Sequence, residues 1–202
     1  EKKNTAYHEA GHAVAAFYLP ECERVHQVTT IQRGQAAGLT VCRPETDDNH
    51  VTKGKMYQNI VMTMGGRVAE AITFDDVCTG ASGDIEQATK RARAMVTQYG
   101  FSEKLGPVLY GGDSSEVFLG RDFSSGKNYS EKTAADIDEE IRTIIGDSYT
   151  RCKEILESHI DKLHFVAEFL LKNESMDDEQ FRAAMEMENP TIESIEEIVL
   201  LK

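Results

Sequence analysis

The sequence lacks any long run of apolar residues. Nowhere among its 202 residues do as many as about 18 apolar side chains follow one another, whereas a membrane-spanning helix needs about 20. The first residues also lack the pattern of a signal peptide, a basic start followed by an apolar stretch. No segment is therefore expected to cross a membrane, and the chain by itself is expected to be soluble and globular.

Basic residues are scarce relative to acidic ones. The chain has 22 Lys and Arg against 35 Asp and Glu, which gives a formal net charge of -13. Proteins that bind nucleic acid present a basic face to the phosphates. The sequence therefore excludes nucleic acid as an expected partner.

Cysteine is also infrequent. The four cysteines are Cys22, Cys42, Cys78 and Cys152, and no two of them form a C-x-x-C pair. Structural zinc sites built on cysteine usually contain such pairs. We therefore expect small buried or half-buried thiols in a reducing compartment, without a disulfide framework or a cysteine-based zinc site.

A phosphate-binding loop is missing as well. The segment "GRDFSSGKN" (120–128) resembles one, but five residues separate its glycines and Asn128 follows Lys127. The motif requires four residues between the glycines and a Ser or Thr after the lysine, because that hydroxyl binds Mg²⁺. No nucleotide site is predicted within this chain.

The pattern of apolar residues predicts a mainly α fold of the α+β class. Segments 24–34 and 38–44 are rich in β-branched residues and end at Gly34 and Pro44, which suggests a small sheet near the N-terminus. The C-terminal half is expected to be all-helical, and its apolar stripes are explained equally well by intramolecular contacts and by contacts between subunits. Helical periodicity marks segments 56–72 (with a break or bend at Gly65-Gly66), 82–99, 130–155, 163–170 and 181–185, and a short strand-like segment lies at 116–120. The apolar stripe predicted for 82–99 consists of Ile85, Ala88, Ala92, Met95, Val96 and Tyr99.

The N-terminal stretch "AYHEAGHAV" (6–14) places two histidines four residues apart, with a glutamate directly after the first. On an α-helix, residues i and i+4 share a face, so His8 and His12 can bind one metal ion together. Glu9 is turned by about 100° from His8, which makes it a poor third ligand but leaves it within reach of a water molecule on the metal. This is the H-E-x-x-H pattern of zinc hydrolases, two ligands and one general base. The alternative is a surface helix that carries these residues by chance.

The third ligand remains open on spacing alone. A catalytic zinc site usually has three protein ligands and one open position. The candidates are His26, His50, His159, His164 and many carboxylates. Asp84, in "TGASGDIEQAT", begins a helix with an apolar stripe and is a further candidate. An aspartate at a helix start also commonly serves only to complement the helix dipole.

Five segments of the sequence together resemble the peptidase domain of the FtsH family, the membrane-anchored ATP-dependent zinc proteases. They are, in order, "TAYHEAGHAV", "GGRVAE", "TGASGDIEQAT", "MVTQYGFSEKLGPVLY" and "EVFLGR", and they cover most of residues 1–185. The resemblance implies that His8, His12 and Asp84 bind one Zn²⁺ per chain and that Glu9 is the catalytic base.

The sequence departs from the family pattern at Gln32, Ala71 and Gly83. None of these residues is an implied ligand or the base, so the departures concern only the surroundings of the site.

The resemblance also implies a longer protein. Residues 1–185 would form the zinc metallopeptidase domain, and residues 186–202 would form a tail of unpredicted structure. Because the chain opens almost directly on the motif, we expect it to be a fragment preceded by transmembrane segments and by an ATPase module that uses ATP and Mg²⁺. The full-length protein would be a membrane-anchored homohexamer that degrades unfolded soluble and membrane polypeptides, with this domain on the cytoplasmic, matrix or stromal side.

Two other functions are compatible with the residues. A stand-alone zinc peptidase would need no motor, and the sequence upstream of Glu1 would distinguish it from a motor-driven enzyme. An inactive homologue could serve as an oligomerisation module, although the intact Glu9 argues against it. Segment 38–42 is either an edge strand that binds extended substrate through main-chain hydrogen bonds or an ordinary covered strand.

Overall fold

The computed structural model of the protein describes residues 1–32, 37–44, 50–111 and 128–200. Its elements are helices α1 (Lys2–Phe17), α2 (Lys53–Thr63), α3 (Gly65–Phe74), α4 (Ser82–Thr97), α5 (Glu131–Ser158), α6 (Ile160–Asn173), α7 (Asp178–Glu186) and α8 (Ile192–Leu200), and strands β1 (Arg24–Thr29), β2 (Leu39–Arg43) and β3 (Ser175–Asp177). The predicted mainly α class with a small N-terminal sheet is confirmed. The strand-like segment 116–120 lies outside the described residues.

The sheet is antiparallel and has the strand order β2-β1-β3. Val28 of β1 pairs with Thr40 of β2 on one side and with Met176 of β3 on the other. The prediction of an all-helical C-terminal half was therefore wrong at β3. A strand of three residues is too short to show an alternating pattern, and it exists here because β1, far away in the sequence, offers it a hydrogen-bonding edge.

Helix α1 lies at the centre of the core. Its residues Ala6, Ala10, Ala13 and Val14 have no exposed surface. Because the side chains on this face are small, the backbone of α3 contacts the backbone of α1. A Cβ added to Gly11 would lie 2.3 Å from the carbonyl oxygen of Gly65. This contact holds α3 against α1, the helix that carries the H-E-x-x-H motif. It thereby brings polar residues of α3 close to His8 and His12.

The predicted helix over 56–72 is divided, as expected, near the glycine pair. Helix α2 ends at Thr63 and α3 begins at Gly65. Helix α4 buries most of its predicted apolar stripe, namely Ala88, Ala92, Met95 and Val96. The two end residues of the stripe are exposed instead of buried. Ile85, in the first turn of α4, is 44% exposed, and Tyr99, which lies beyond the last residue of α4, is 55% exposed.

Of the C-terminal helices, α6 packs against α1, and α5 packs mainly against α2, α3 and α4. The apolar stripe of α5 is buried within the chain at Ala134, Ile137, Ile141, Cys152, Ile155 and Leu156. Residues 186–202, whose structure was not predicted, contain α8, and its Ile195 is fully buried in the core. Within the described ranges, no helix has both the length and the apolar character that crossing a membrane requires.

Candidate metal centre

His8 and His12 of α1 and Asp84 of α4 converge on one point. The Nε2 atom of His8 lies 3.1 Å from Nε2 of His12 and 3.1 Å from Oδ2 of Asp84. Nε2 of His12 lies 3.5 Å from the same Oδ2. Across the described part of the chain, this is the only group of three or more His, Cys, Asp or Glu side chains whose ligand atoms all lie within 4.8 Å of one another.

These separations fit a tetrahedral zinc ion. Zinc binds imidazole nitrogen and carboxylate oxygen at about 2.0–2.2 Å, which places two tetrahedral ligands about 3.3 Å apart. The three measured separations, 3.1, 3.1 and 3.5 Å, bracket that value. Two imidazoles and one carboxylate are also a ligand set of catalytic zinc sites, in which a fourth position stays open for water.

The outer nitrogens of both histidines are held by acceptors. His8 Nδ1 lies 2.7 Å from Oε1 of Glu70, and His12 Nδ1 lies 3.0 Å from the carbonyl oxygen of Met62. Because these oxygens accept, each Nδ1 carries the hydrogen, and each Nε2 of a neutral ring has only a lone pair. Two lone pairs that face each other at 3.1 Å cannot form a hydrogen bond. A cation between them removes this conflict.

The electrostatics of the site favour a positive charge at the same point. Burial opposes the charged form of His8, but the carboxylates of Asp84 and Glu70 outweigh it and raise the pKa of this ring to about 9. Burial would likewise raise the pKa of Asp84, but in the metal-free, protonated form of the site its contacts with His12 and His8 hold this pKa well below its usual value. A metal ion would take the place of the proton that these groups otherwise hold.

Glu70 contacts His8 at the candidate site, and the sequence alone did not single it out as a site residue. It lies on α3 with no exposed surface, and its Oε2 accepts a hydrogen bond of 2.9 Å from the backbone N–H of Cys78. Burial would raise its pKa, but the Cys78 N–H and His8 together lower it, so the carboxylate stays ionised. The available signal was the acidic residue that directly follows Val68 and Ala69 at the end of the segment "GGRVAE".

Glu9 lies beside the three converging residues and is almost completely buried, with 7% of its surface exposed. The hydroxyl of Thr40 lies 2.8 Å from Oε2 of Glu9 and 3.1 Å from its main-chain oxygen, so its single hydrogen is donated to one of them. Glu9, His8, His12 and Asp84 all line one cleft of about 940 Å³.

Strand β2 runs along this cleft. It pairs with β1 on one side, and no described strand pairs with its other side. Thr40 and Cys42, two alternate residues of β2, both line the cleft. Strand β2, which contains most of the sequence segment 38–42, is therefore an edge of the sheet, close to Glu9.

The other candidate histidines lie away from this point. His26 is 4.0 Å from a carboxylate oxygen of Asp178, and the ring of His159 stacks on Tyr18 with centroids 3.6 Å apart. His164 Nδ1 lies 2.9 Å from the hydroxyl of Tyr7. His50 is exposed and lines a separate depression. Of the candidates left open by spacing, only Asp84 among the described residues converges with Nε2 of His8 and Nε2 of His12.

The chain is similar to known proteins along most of its length. A family model described as peptidase family M41 matches residues 1–184. The ATP-dependent zinc metalloprotease FtsH of Caldicellulosiruptor bescii is 52% identical over 182 residues, which cover 90% of this chain and 30% of the relative. The protein of the same name from Bacillus subtilis is 48% identical over 183 residues, which cover 90% of this chain and 29% of the relative. The chain thus spans less than a third of the length of these relatives.

Proposed function

Because the chain belongs to peptidase family M41 and is a metallopeptidase domain of the FtsH type, as its resemblance predicted, we propose that it is a zinc-dependent endopeptidase domain acting on unfolded polypeptides. The observation that carries the proposal is the convergence of His8 Nε2, His12 Nε2 and Asp84 Oδ2 at 3.1–3.5 Å, with Glu9 in the same cleft.

In this proposal, His8, His12 and Asp84 hold one zinc ion, and Glu70 orients His8. A bound zinc ion would supply Lewis acidity, which lowers the pKa of water towards about 7 and polarises the scissile carbonyl. Glu9 removes a proton from the attacking water as the oxygen–carbon bond forms. It then delivers that proton to the leaving nitrogen as the carbon–nitrogen bond breaks. Thr40 holds the Glu9 carboxylate in position through its hydroxyl.

Strand β2 is proposed as the binding edge for substrate. An extended peptide can add to a free sheet edge through main-chain hydrogen bonds that are largely independent of side chains, which suits an enzyme that cleaves many sequences. Thr40 connects this edge directly to the proposed base. Peptides with N-methyl groups that block successive main-chain donors should show a raised KM at the positions that pair with β2. An unchanged KM at every position would contradict edge binding.

We further propose that residues 1–185 form the peptidase domain and that α8 is a C-terminal extension packed on it through Ile195. The named relatives are ATP-dependent and much longer, so the full-length protein is proposed to supply an ATPase module, which uses ATP and Mg²⁺, and a membrane anchor. This domain would then lie on the cytoplasmic, matrix or stromal side.

A homohexameric ring is proposed for the full-length protein. The apolar stripe of α5 is already used within the chain. Exposed apolar side chains elsewhere, including Tyr99, Val108 and Leu109, offer surface for contacts between subunits. Sedimentation of the full-length protein should show six copies, and a monomer at high concentration would contradict the ring.

The experiment that tests the function compares an unfolded substrate with a folded one. Typical domains are stable by about 5–15 kcal/mol, so their unfolded population is very small. The purified chain should cleave unfolded casein slowly without ATP, lose this activity with a chelator and regain it with zinc, and leave a folded reporter intact. Failure to cleave casein in the zinc-loaded state would contradict the proposal. Digestion of the folded reporter by the chain alone would favour a stand-alone peptidase over a motor-driven one.

A further inference from the structure

Arg91 is the only arginine or lysine among the described residues that line the active-site cleft. It lies on α4, seven residues after Asp84 and four after Gln87, and both of these also line the cleft. Residues at these spacings share one face of a helix. The same helix face therefore presents a proposed zinc ligand and, two turns further on, a guanidinium group.

A hydrogen bond fixes the position of this guanidinium. Nη1 of Arg91 donates to the hydroxyl of Thr63 over 2.9 Å. Thr63 directly follows Met62, whose carbonyl oxygen accepts the hydrogen bond from His12. The guanidinium is thus anchored next to the segment that orients His12, on the side of the cleft formed by the end of α2.

Within the described part of the chain, Arg91 uses little of its hydrogen-bonding capacity. A guanidinium has five N–H donors, and within the described residues Arg91 has the contact with Thr63 and no carboxylate within 4.0 Å. Its neighbours on α4 differ. Lys90 pairs with Glu86 at 2.6 Å, and Arg93 lies 3.9 Å from Asp138.

The remaining charges of the cleft make Arg91 distinctive. Apart from the histidines, the other ionisable lining residues that carry charge are acidic: Glu1, Glu9, Glu70 and Asp84. Away from the proposed zinc ion, a carboxylate of a bound peptide would meet mainly acidic side chains in the cleft. At Arg91 the carboxylate would meet a half-buried guanidinium that lacks a counter-ion among the described residues. Guanidinium groups bind carboxylates through paired hydrogen bonds.

The position along a bound peptide follows from helix geometry. Seven residues advance about 10 Å along a helix axis, and an extended peptide advances about 3.3 Å per residue. A carboxylate that reaches Arg91 therefore lies roughly two to four residues from the bond that is cleaved near Asp84. The contact acts at a distance from the reacting atoms and affects selection of the substrate.

We propose that Arg91 is a specificity-determining residue that binds a carboxylate of the peptide substrate away from the scissile bond. The carboxylate belongs either to an Asp or Glu side chain or to the C-terminus of the peptide, since both present the same group. This inference rests on the proposed peptide-binding function of the cleft. A merely structural alternative is that Arg91 supports Thr63, and through it His12, without contacting substrate.

The test measures binding and cleavage separately. One series of fluorescent peptides has an otherwise neutral composition and an amidated C-terminus, and carries a single Glu, Gln or Lys at each position in turn. A further pair of peptides has the same sequence, but one has a free C-terminus and the other an amidated C-terminus. Kd is measured by polarisation on zinc-loaded Glu9→Gln protein, which is expected to bind without cleaving, and kcat/KM is measured on protein with Glu9 intact. Each measurement is repeated with Arg91→Gln, Arg91→Lys and Arg91→Glu in both backgrounds.

The expected result is a preference for Glu over Gln at one position, or for the free C-terminus, of about 3- to 10-fold, because the pair is partly screened by solvent. Arg91→Gln should reduce this ratio to about 1, Arg91→Lys should keep part of it, and Arg91→Glu should favour Lys at that position. The control Lys90→Gln removes the same charge from the exposed side of α4 and should leave the ratio as in the unmodified protein.

The outcomes separate the two proposals. Equal Kd values for Glu and Gln peptides at every position and for both C-terminal forms would overturn the role of Arg91. A ratio that persists in Arg91→Gln, or affinities that fall equally for all peptides, would overturn it as well, since a structural support has no charge preference. A charge-dependent Kd ratio that Arg91→Gln abolishes, without any peptide cleavage, would uphold the carboxylate site and count against the peptidase function.

Discussion

The Nδ1 atom of His8 lies 2.7 Å from Oε1 of Glu70, a carboxylate that is completely buried. The same carboxylate accepts the backbone N–H of Cys78 through its second oxygen. It is therefore held at both oxygens and fixes the plane of the His8 ring. Carboxylates that hydrogen-bond a metal-binding histidine in this way set its tautomer and increase its basicity.

Replacing Glu70 with Gln is expected to weaken zinc binding. The change keeps the size of the side chain but removes the charge that favours the Nδ1–H tautomer of His8. Zinc affinity should fall by about 10- to 100-fold, as measured by competition with a chromophoric chelator. The control Glu86→Gln alters a surface residue of α4; if it weakened zinc binding as much as Glu70→Gln, the orienting role would be wrong.

Replacing Gly66 with Ala should displace the His8 ring. A Cβ at this position would lie 2.4 Å from Cε1 and Nε2 of His8, which is closer than non-bonded atoms approach. We expect loss of zinc and of peptide cleavage, measured on protein whose helical circular dichroism is retained. The matched control is Gly146→Ala on α5, where nothing lies within 4 Å of the added carbon. That variant should keep its zinc and be stabilised by about 0.5–1 kcal/mol, as expected for Gly to Ala in a helix.

Replacing Glu9 with Gln should separate metal binding from catalysis. Gln keeps the shape and the contact with Thr40 but cannot accept a proton from water. We expect zinc content equal to that of the unmodified protein and kcat lower by about 10²- to 10⁴-fold. Cleavage at an undiminished rate would show that another group is the base.

The thiols should differ in reactivity. Burial raises the pKa of Cys152 to about 12. Burial is also the main cause that raises the pKa of Cys22 to about 12 and the pKa of Cys42 to about 11. A raised pKa reduces the reactive thiolate at a given pH, so these residues should alkylate slowly at pH 8. Cys78 is exposed and should react first. Peptide mass mapping after brief iodoacetamide treatment checks the order, and early labelling of Cys152 would contradict the described core.

The helices and the histidine pair could be predicted because their signals are local. The four-residue spacing of His8 and His12, and the apolar periodicity of α4 and α5, depend only on neighbours in the sequence. Strand β3 could not be predicted, since its three residues are extended only where they meet β1. The exposure of Ile85 and Tyr99 was missed because periodicity does not show where a helix leaves the core.

The rest of the site depends on contacts between distant segments. By spacing alone Asp84 was one candidate among many. The family resemblance implied it as a ligand, and the fold places it 3.1 Å from His8. Glu70 and Arg91 lie 62 and 28 residues from the partners they contact, His8 and Thr63. No spacing within one helix encodes such pairs, so they emerge only when α1, α2, α3 and α4 are packed together.

The most direct test of the zinc site is anomalous diffraction at the zinc absorption edge from crystals of the zinc-loaded protein. The account predicts one peak per chain, about 2.0–2.2 Å from Nε2 of His8, Nε2 of His12 and a carboxylate oxygen of Asp84. An Asp84→Ala crystal should show this peak weakened or absent. A zinc peak at other residues, or full occupancy of the same position without Asp84, would contradict the assignment.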